Sequence, residues 1–289
     1  MRLITYRSPD GPRVAGLRED GVVDLNQTDP AVPSCVKALL RHGPEGQQRA
    51  AAALGEGTAI PLEAVELLPP VPIPEKVFGI GLNYADHARE TGKEPPPEPV
   101  VFAKFPTAVI PSDRPIVLPR LSTEVDYEAE LVVVIGRPGR HIPRHQAIEH
   151  VAAFCCGCDV SARDWQMRKP GGQWILGKSF DTFAPIGPAL VTLDEVGDVG
   201  DLRIQLRLNG QTMQDSTTAQ LIFPVEELVA YLSSICTLSP GDLIFTGTPP
   251  GVGVARRPPV FLRPGDEIEV EIDRIGVLRN PVVAEDAAA

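Results

Sequence analysis

Three acidic side chains at alternate positions lead directly into an apolar segment near the middle of the chain, Asp126-Tyr-Glu128-Ala-Glu130-Leu-Val-Val-Val-Ile135. A period of two places all three acids on one face of a β-strand. Beyond Glu130 the segment is apolar on both faces, which is typical of a strand inside a sheet. Glu128 and Glu130 therefore enter the interior side by side, and burying two like charges is costly unless a cation or a shared proton compensates.

A divalent cation is the compensation that this residue set favours, because carboxylate oxygens are the hard ligands preferred by Mg²⁺, Mn²⁺ and Ca²⁺. The alternatives for Glu128 and Glu130 are a solvated sheet edge and ion pairs. The chain contains its own comparison, Glu267-Ile-Glu-Val-Glu271, in which acids alternate strictly with aliphatic residues. That pattern is typical of a half-exposed strand with a solvated acidic face. Asp159, which ends an apolar run, is the candidate third metal ligand.

Acidic residues dominate the charge balance, with a formal net charge of −11 at pH 7. Nucleic acid is therefore disfavoured as the main partner, because phosphate binding requires a basic surface. An anionic small-molecule substrate would need local positive charge from a metal and from lysines. The N-terminus lacks the apolar stretch of a signal peptide, and no apolar run approaches the ~20 residues of a membrane helix. A cytoplasmic protein without membrane contact is predicted.

Three of the five cysteines, Cys155, Cys156 and Cys158, lie together in an apolar segment. This arrangement is typical of reduced thiols in a cytoplasmic protein rather than of a disulfide framework. A zinc site is the alternative. It would need a second Cys or His pair at ligand spacing, which the five histidines do not supply in the sequence.

Turn-forming residues divide the chain into many short elements, since it contains 26 Gly and 31 Pro. Short strands and helices within residues 1–70 predict a small N-terminal α/β domain, and the proline-rich stretch Leu68–Pro74 indicates its boundary with a larger domain, residues 71–289. Strand-like runs dominate the larger domain, so a mixed, β-rich α+β fold is predicted rather than a Rossmann arrangement. The predicted strands are Leu3–Tyr6, Val14–Leu17, Val22–Leu25, Val77–Ile80, Val100–Phe105, Glu128–Ile135, Ala152–Val160, Leu202–Leu208, Leu243–Thr246 and Glu267–Ile272.

A histidine and a glutamate three residues apart occur in the segment Asn83-Tyr-Ala-Asp-His87-Ala-Arg-Glu90. On a helix this spacing makes His87 and Glu90 neighbours on one face, where the carboxylate orients the imidazole and raises its basicity. The pair is therefore a candidate general base, with an ordinary surface or core histidine as the alternative. Glycines on both sides, including Gly81 and Gly92, are typical of a short lid hinged at both ends.

Four further polar side chains lie near these candidates. Arg163 and Gln166 are predicted in the first turn of the helix that follows Asp159, where they could reach the same site and bind a substrate carboxylate. Ordinary surface side chains are the alternative for both. Lys104 and Lys178 are lone cations in apolar contexts, a pattern that is also typical of a lysine whose stem is buried and whose ammonium reaches solvent.

The glycine-rich segment Gly247-Thr-Pro-Pro-Gly-Val-Gly253 lacks the Gly-Lys-Ser/Thr sequence of a phosphate-binding loop and opens no evident helix. Nucleotide binding is therefore disfavoured. The segment instead predicts a tight turn that presents Thr248.

Five stretches, all in the family's order, resemble the fumarylacetoacetate hydrolase family, and the similarity covers about residues 77–283. Agreement at so many places makes the resemblance specific. The segment from Gly172 to Pro188 is similar to family members of sugar-acid and catechol catabolism. The matching stretches are Gly81-Leu-Asn-Tyr-Ala-Asp-His-Ala-Arg-Glu90, Asp126-Tyr-Glu-Ala-Glu-Leu131, Asp159-Val-Ser-Ala-Arg-Asp-Trp-Gln166, Gly177-Lys-Ser-Phe-Asp-Thr182 and Gly241-Asp-Leu-Ile-Phe-Thr-Gly-Thr-Pro-Pro-Gly251.

The resemblance implies a β-sandwich roll of the fumarylacetoacetate hydrolase type, a homodimer, and Mg²⁺ (or Mn²⁺ or Ca²⁺) held by the three carboxylates named above. It implies that His87 with Glu90 is the catalytic dyad that activates water, on a lid that orders over the substrate. Members usually carry Asn before the metal-binding Asp, and Cys158 replaces it here, which alters the hydrogen bonding around that ligand. The implied contacts to substrate are Lys178, which also has a catalytic role, Arg163, Gln166, Thr248 and Lys104.

In the mechanism implied by the resemblance, a metal-bound 2-oxo acid is attacked at a distal carbonyl by water that His87 activates, and a C–C bond breaks towards an enolate. The predicted function is a divalent-metal-dependent hydrolase of a small 2,4-dioxo acid, such as an acylpyruvate or a fumarylacetoacetate-like acid. The same enolate serves a decarboxylase or isomerase of 2-oxo or 2-hydroxy-diene diacids in aromatic or sugar-acid catabolism, which stays open as an alternative. A catalytically silent metal- or metabolite-binding homologue is the non-enzyme alternative.

Overall fold

Strands outnumber helices in the structure, a computed structural model that describes residues 1–287. The strands are β1 (Arg2–Ser8), β2 (Gly11–Arg18), β3 (Gly21–Asp24), β4 (Leu67–Leu68), β5 (Val77–Gly81), β6 (Val100–Ala103), β7 (Val109–Ile110), β8 (Ile116–Leu118), β9 (Val125–Asp126), β10 (Ala129–Ile135), β11 (Val151–Cys158), β12 (Ser161–Ala162), β13 (Ala184–Thr192), β14 (Arg203–Leu208), β15 (Gln211–Thr217), β16 (Leu243–Phe245), β17 (Glu267–Ile272) and β18 (Gly276–Ala284). The α-helices are α1 (Leu25–Thr28), α2 (Val36–Arg41), α3 (Gly43–Glu56), α4 (Ala85–Thr91), α5 (Trp174–Lys178), α6 (Leu193–Val196) and α7 (Val225–Ile235).

Two sheets packed together form the body of the molecule. The larger has the order β3-β2-β1-β13-β11-β10-β16-β5-β6, with β4 beside β1 and β7 beside β13. The smaller has the order β15-β14-β17-β18-β8 and packs on β10, β11 and β13. Every residue of β10 is buried, as its apolar sequence predicts. This architecture confirms the mixed, β-rich α+β class.

The helices are short, and the longest, α3, has 14 residues. Between Ala162 and Lys178 the chain forms only a π-helical turn, Asp164–Arg168, and the five-residue α5. Pro224 caps α7 at its N-terminus, where a missing N–H costs nothing. Within residues 1–287, no helix combines the length and the apolar character that a membrane span requires.

The N-terminal segment joins the larger sheet directly. Strand β1 pairs with β2 along its length and also with β13, where Arg2 and Leu3 lie opposite Val191 and Leu190. Helix α3 packs on β2, and Leu54 lies against Gly16. The division into residues 1–70 and 71–289 stays a prediction, and residues 288 and 289 lie outside the described part of the chain.

The strand pattern of the sequence misplaces the start of β10 and misses the long strands β13, β15 and β18 and the short strands β4, β7, β8 and β12. Strand β13 contains Pro185 and Pro188, which argue against a strand, but Pro188 lies where the pairing with β11 is irregular. Strand β15 is polar on both faces and lies at the edge of the smaller sheet. The chain is not in strand conformation at Tyr127 and Glu128, so the predicted strand Glu128–Ile135 begins at Ala129 as β10, and Asp126 lies on the separate strand β9.

Gly157, in β11, tests how closely the side chains of neighbouring strands pack within the larger sheet. A methyl group at this position would lie 2.4 Å from Val132 Cγ2 and 2.8 Å from the Phe245 ring. Because neither neighbour can withdraw, Gly157→Ala should lower the free energy of unfolding by about 1–3 kcal/mol. Gly55→Ala is the matched control, since Gly55 lies in α3 with open space around it. Urea unfolding of both variants measures the difference, and equal stability of the two variants would contradict the packing.

Candidate active site

Three buried carboxylates meet where β10 begins and β11 ends. These strands are antiparallel, with Ala129 opposite Cys158, so the residues just outside them are neighbours. The backbone N–H of Asp159 donates to the carbonyl of Glu128 at 2.9 Å and closes this corner. Glu128, Glu130 and Asp159 each offer a ligand oxygen, and these oxygens lie within 4.8 Å of one another. The structure thus brings together the three predicted metal ligands.

Three cations surround the carboxylates. Lys178 Nζ lies 2.8 Å from Glu128 Oε2 and 2.6 Å from Asp159 Oδ2. Lys104 Nζ lies 2.5 Å from the other oxygen of Asp159. Arg163 lies 2.6 Å from Glu128 Oε1. Both lysine side chains are buried, so the interpretation of lysines that reach solvent is wrong for this chain.

The cations are unevenly shared among the carboxylates. Burial alone would raise the pKa of Glu128, but Lys178 and Arg163 outweigh it and hold that pKa below its ordinary value. Burial also opposes the charge of Lys178, yet Asp159 and Glu128 keep its pKa raised. Burial, together with Asp159 and Glu128, raises the pKa of Glu130 well above its ordinary value.

Glu130 is the carboxylate that lacks a cationic partner within residues 1–287. Its Oε2 accepts the backbone N–H of Gly247 at 2.6 Å. A divalent ion among these three hard oxygens would supply the missing positive charge, so the donor set fits Mg²⁺ or a similar ion. In the described part of the chain this is also the only group of three or more metal-ligating side chains, and the zinc alternative gains no support.

The turn after β16 supplies the donor to Glu130. Gly247 has a positive φ of 105°, and a side chain there would lie 2.7 Å from Asn83 Cβ, so glycine is required. Asn83 holds this turn in place because its Nδ2 donates to the carbonyl of Thr246 at 2.7 Å and to that of Phe223 at 3.0 Å. These contacts explain the role of Gly247 and Asn83 in the two motifs.

A cavity of about 570 Å³ opens above Glu128 and Lys178. Its size falls within the range of about 300–1,000 Å³ typical of small-molecule sites. Glu130 and Asp159 lie deeper, with 1% and 0% exposure. The other predicted site residues that line this cavity are His87, Glu90, Arg163, Gln166 and Thr248.

His87 and Glu90 form the predicted pair on α4. His87 Nδ1 and Glu90 Oε2 are 2.9 Å apart, and Glu90 Oε1 accepts the N–H of Gly251 at 3.0 Å. The carboxylate therefore fixes the imidazole and links α4 to the glycine-rich turn. The second ring nitrogen, Nε2, has no protein partner in residues 1–287 and is free to exchange a proton within the cavity.

Two residues with no role predicted from the sequence position the site. Asp126 accepts from Arg163 Nε at 2.8 Å and from the N–H groups of Gly253 and Val254. Gln214 donates to Thr248 Oγ1 at 2.8 Å and accepts the N–H of Ala129. Asp126 was visible as the first acid of the alternating run, whereas Gln214 lies on the unpredicted β15 and has no signal in the sequence.

Residues 76–283 match the family model described as fumarylacetoacetate (FAA) hydrolase, C-terminal. The chain therefore belongs to the fumarylacetoacetate hydrolase family, and the resemblance of its motifs is confirmed. The individual roles of the site residues stay predictions.

Several relatives carry named activities. Human "Oxaloacetate tautomerase FAHD2A, mitochondrial" is 47% identical over 289 residues, covering 98% of this chain and 92% of the relative. The crystal structure of 5-carboxymethyl-2-hydroxymuconate delta-isomerase from Mycobacterium smegmatis has a TM-score of 0.78 at 36% identity and covers 99% of both chains. Maleylpyruvate hydrolase from Sphingobium sp. SYK-6, in complex with manganese(II) ion and pyruvate, has a TM-score of 0.81 at 32% identity, covering 98% of this chain and 99% of that one.

These relatives are enzymes of the same family with different reactions, so the family alone does not select hydrolysis, isomerisation or tautomerisation. The human relative's name places that protein in mitochondria. The cytoplasmic location, the homodimer and the absence of nucleic-acid and membrane partners stay predictions for this chain.

Glu130→Gln separates metal binding from folding. The amide oxygen can keep the hydrogen bond from Gly247, and the substitution removes a negative charge that burial, Asp159 and Glu128 disfavour, which is why the pKa of Glu130 is raised. The metal-free variant should therefore unfold near the wild-type midpoint, while the stabilisation that Mn²⁺ or Mg²⁺ confers, about 2.7 kcal/mol at a hundredfold excess over Kd, should be largely lost. Thermal unfolding across a metal titration measures both quantities.

Glu267→Gln is the control for that experiment, because Glu267 is an exposed acid on β17 outside the site. It should titrate with metal like the wild type. An unchanged metal titration in Glu130→Gln would remove Glu130 from the metal site.

Proposed function

We propose that this protein is a divalent-metal-dependent tautomerase of a small 2-oxo dicarboxylic acid, with oxaloacetate as the model substrate. The reaction moves a proton between C3 and the 2-oxo oxygen. The observation that carries the proposal is the presence of one acid–base pair, His87 with Glu90, on the same cavity as Glu128 and Lys178. Proton transfer at one carbon requires an acid–base pair beside a charged binding site. Unlike hydrolysis, it requires no bound water.

The carboxylate cluster would hold the metal, and the cations beside it would bind the acid. When bound, the ion would act as a Lewis acid on the 2-oxo group. Arg163 has five N–H donors, of which two make hydrogen bonds to Asp126 and Gln166, while Nη2 forms an ion pair with Glu128. The remaining donors are available to the substrate's 1-carboxylate, to which the Gln166 amide is the neighbouring donor.

Proton transfer falls to two groups. His87 Nε2 takes the proton from C3, and the imidazolium that results is stabilised by Glu90 at Nδ1. Lys178 keeps a raised pKa and so carries three N–H bonds, two of which point to Glu128 and Asp159. The third is available to the 2-oxo oxygen, which takes this proton as C3 loses its own and so becomes the enol hydroxyl. His87 then releases its proton to solvent and Lys178 takes one up, which restores both groups.

The relatives support tautomerisation over the hydrolysis that sequence motifs rank first. The human relative and one from Xenopus laevis, 46% identical over 288 residues, are both named oxaloacetate tautomerase. At that identity, over nearly the whole of each chain, a shared reaction is the simplest inference. Mg²⁺ is the proposed physiological metal, with Mn²⁺ as the alternative that the ion of the Sphingobium relative supports.

C–C hydrolysis of an acylpyruvate is the second candidate. The cavity of about 570 Å³ has room for an acid longer than four carbons, and His87 with Glu90 could activate water instead of a C3 proton. The maleylpyruvate hydrolase among the solved structures supports this reading. The two reactions differ in product, since only hydrolysis breaks the carbon chain.

A substrate panel decides between the reactions. The enol absorbance of oxaloacetate, acetopyruvate and fumarylpyruvate is followed with wild-type protein plus Mg²⁺ or plus chelator, and products are identified by mass. Metal-dependent loss of oxaloacetate enol without change of mass is the expected result. Cleavage of an acylpyruvate to pyruvate would establish the hydrolase, and no turnover across the panel despite metal binding would support the silent homologue.

His87→Ala tests the proposed base. The variant should lose about 10²–10⁴-fold in kcat, the usual contribution of one general base, while its metal titration stays at the wild-type value. His145→Ala is the control, because His145 is an exposed histidine outside the cavity. Wild-type kcat in His87→Ala would exclude His87 as the base.

A further inference from the structure

Positive charge at the mouth of the active-site cavity is not neutralised by the acids at its floor. Five basic side chains line the cavity against two carboxylates, although the chain as a whole carries a net charge of −11. Arg163 and Lys178 form the ion pairs with Glu128 described above. The other three have no carboxylate within ion-pairing distance in residues 1–287, and they are Lys93, Arg256 and Arg257.

The loop that carries both arginines is fixed to the catalytic centre. The N–H groups of Gly253 and Val254 donate to Asp126 Oδ1 and Oδ2 at 2.7 and 2.9 Å, and the same carboxylate pairs with Arg163. A side chain at Gly253 would lie 1.9 Å from the carbonyl oxygen of Val260, so the loop closes tightly on itself. Asp126 therefore sets where the loop stands relative to the floor of the cavity.

Local hydrogen bonds hold the side chain of Arg256 and the backbone of Lys93. Arg256 donates from Nε to the carbonyl of Gly251 at 3.2 Å and from one amino nitrogen to that of Met213 at 2.6 Å. Lys93 follows Gly92, whose left-handed φ of 65° ends α4, and its N–H donates to the carbonyl of Ala88 at 3.0 Å. Lys93 therefore lies just after the C-terminus of the helix that carries the His87–Glu90 pair. Arg257 follows Arg256 directly and is exposed at the cavity.

We propose that Arg257, together with Lys93 and Arg256 on the same cavity, forms a subsite for the second carboxylate of the substrate. This inference rests on the proposed function, in which the 1-carboxylate and the 2-oxo group occupy the floor. A guanidinium presents two parallel N–H groups that match a carboxylate, and unpaired cations at a cavity mouth attract a dianion more strongly than a monoanion. The subsite therefore selects dicarboxylates over monocarboxylates of the same length.

Oxaloacetate and 2-oxobutyrate are the matched pair for the test. Both are four-carbon 2-oxo acids with two hydrogens on C3, and they differ by a terminal carboxylate against a methyl group. Exchange of the C3 hydrogens for deuterium, followed by proton NMR with metal-saturated protein and corrected for the rate with metal alone, measures the reaction on both. The variants are Arg257→Gln and Arg257→Gln/Lys93→Gln. The control is Arg263→Gln, an exposed arginine that does not line the cavity.

The ratio of kcat/KM for oxaloacetate to kcat/KM for 2-oxobutyrate should fall about tenfold or more in Arg257→Gln, the scale of one charge-assisted hydrogen bond, mainly through KM for oxaloacetate. The double variant should lower the ratio further, and Arg263→Gln should leave it at the wild-type value. An unchanged ratio in both cavity variants, including an equal loss on the two acids, would overturn the subsite.

Binding distinguishes failure of the subsite from failure of the proposed function. If the wild type exchanges neither acid, calorimetric titration of the metal-loaded protein with the same two acids still applies. Tighter binding of oxaloacetate that Arg257→Gln abolishes would support the subsite while the tautomerase is rejected. Equal affinity of the wild type for both acids would overturn the subsite.

Discussion

The buried carboxylate cluster is the constraint on which the rest of the site depends. Three carboxylate oxygens within 4.8 Å in the interior repel one another unless positive charge is brought to them. The fold supplies that charge from Lys104, Lys178 and Arg163, which come from three separate parts of the chain. Including Asp126, the cluster still has one formal negative charge more than it has positive charges, and a divalent ion would turn this excess into a single positive charge. In the proposed function, metal binding and attraction of an anionic substrate would therefore depend on the same electrostatic imbalance that folding must accommodate.

Local sequence patterns were sufficient to identify the carboxylates of the site but not the side chains that contact them. Acids that enter an apolar strand are unusual, so Glu128 and Glu130 could be identified from the residues themselves. Lys178 could not, because its pattern fits a lysine that reaches solvent, and its partners Glu128 and Asp159 are 50 and 19 residues away in the chain. Only resemblance to a family assigned it to the site. Gln214 illustrates the limit of both approaches, since it lies on a polar edge strand outside the quoted motifs.

The fold class could be predicted from local sequence patterns, whereas the pairing of distant strands could not. Alternation of apolar residues and turns is local, so most strands were placed within a few residues of their positions. The pairing of β1 with β13 joins positions about 190 residues apart, and no local pattern contains it. The prolines of β13 even argue against a strand, and they are tolerated because the pairing with β11 is irregular beside Pro188.

The floor and the mouth of the cavity have different roles in the proposed reaction. The floor offers an acid–base pair and a cluster that fits a metal, which would serve any 2-oxo acid, so it does not by itself select a reaction. The mouth decides what extends above C3. A four-carbon diacid anchored there by Arg257 has no distal ketone for water to attack, which leaves proton transfer as the chemistry available to His87. Asp126 bonds both Arg163 at the floor and the loop at the mouth, so in the proposed reaction it would couple the position of the reacting carbon to recognition of the far end of the substrate.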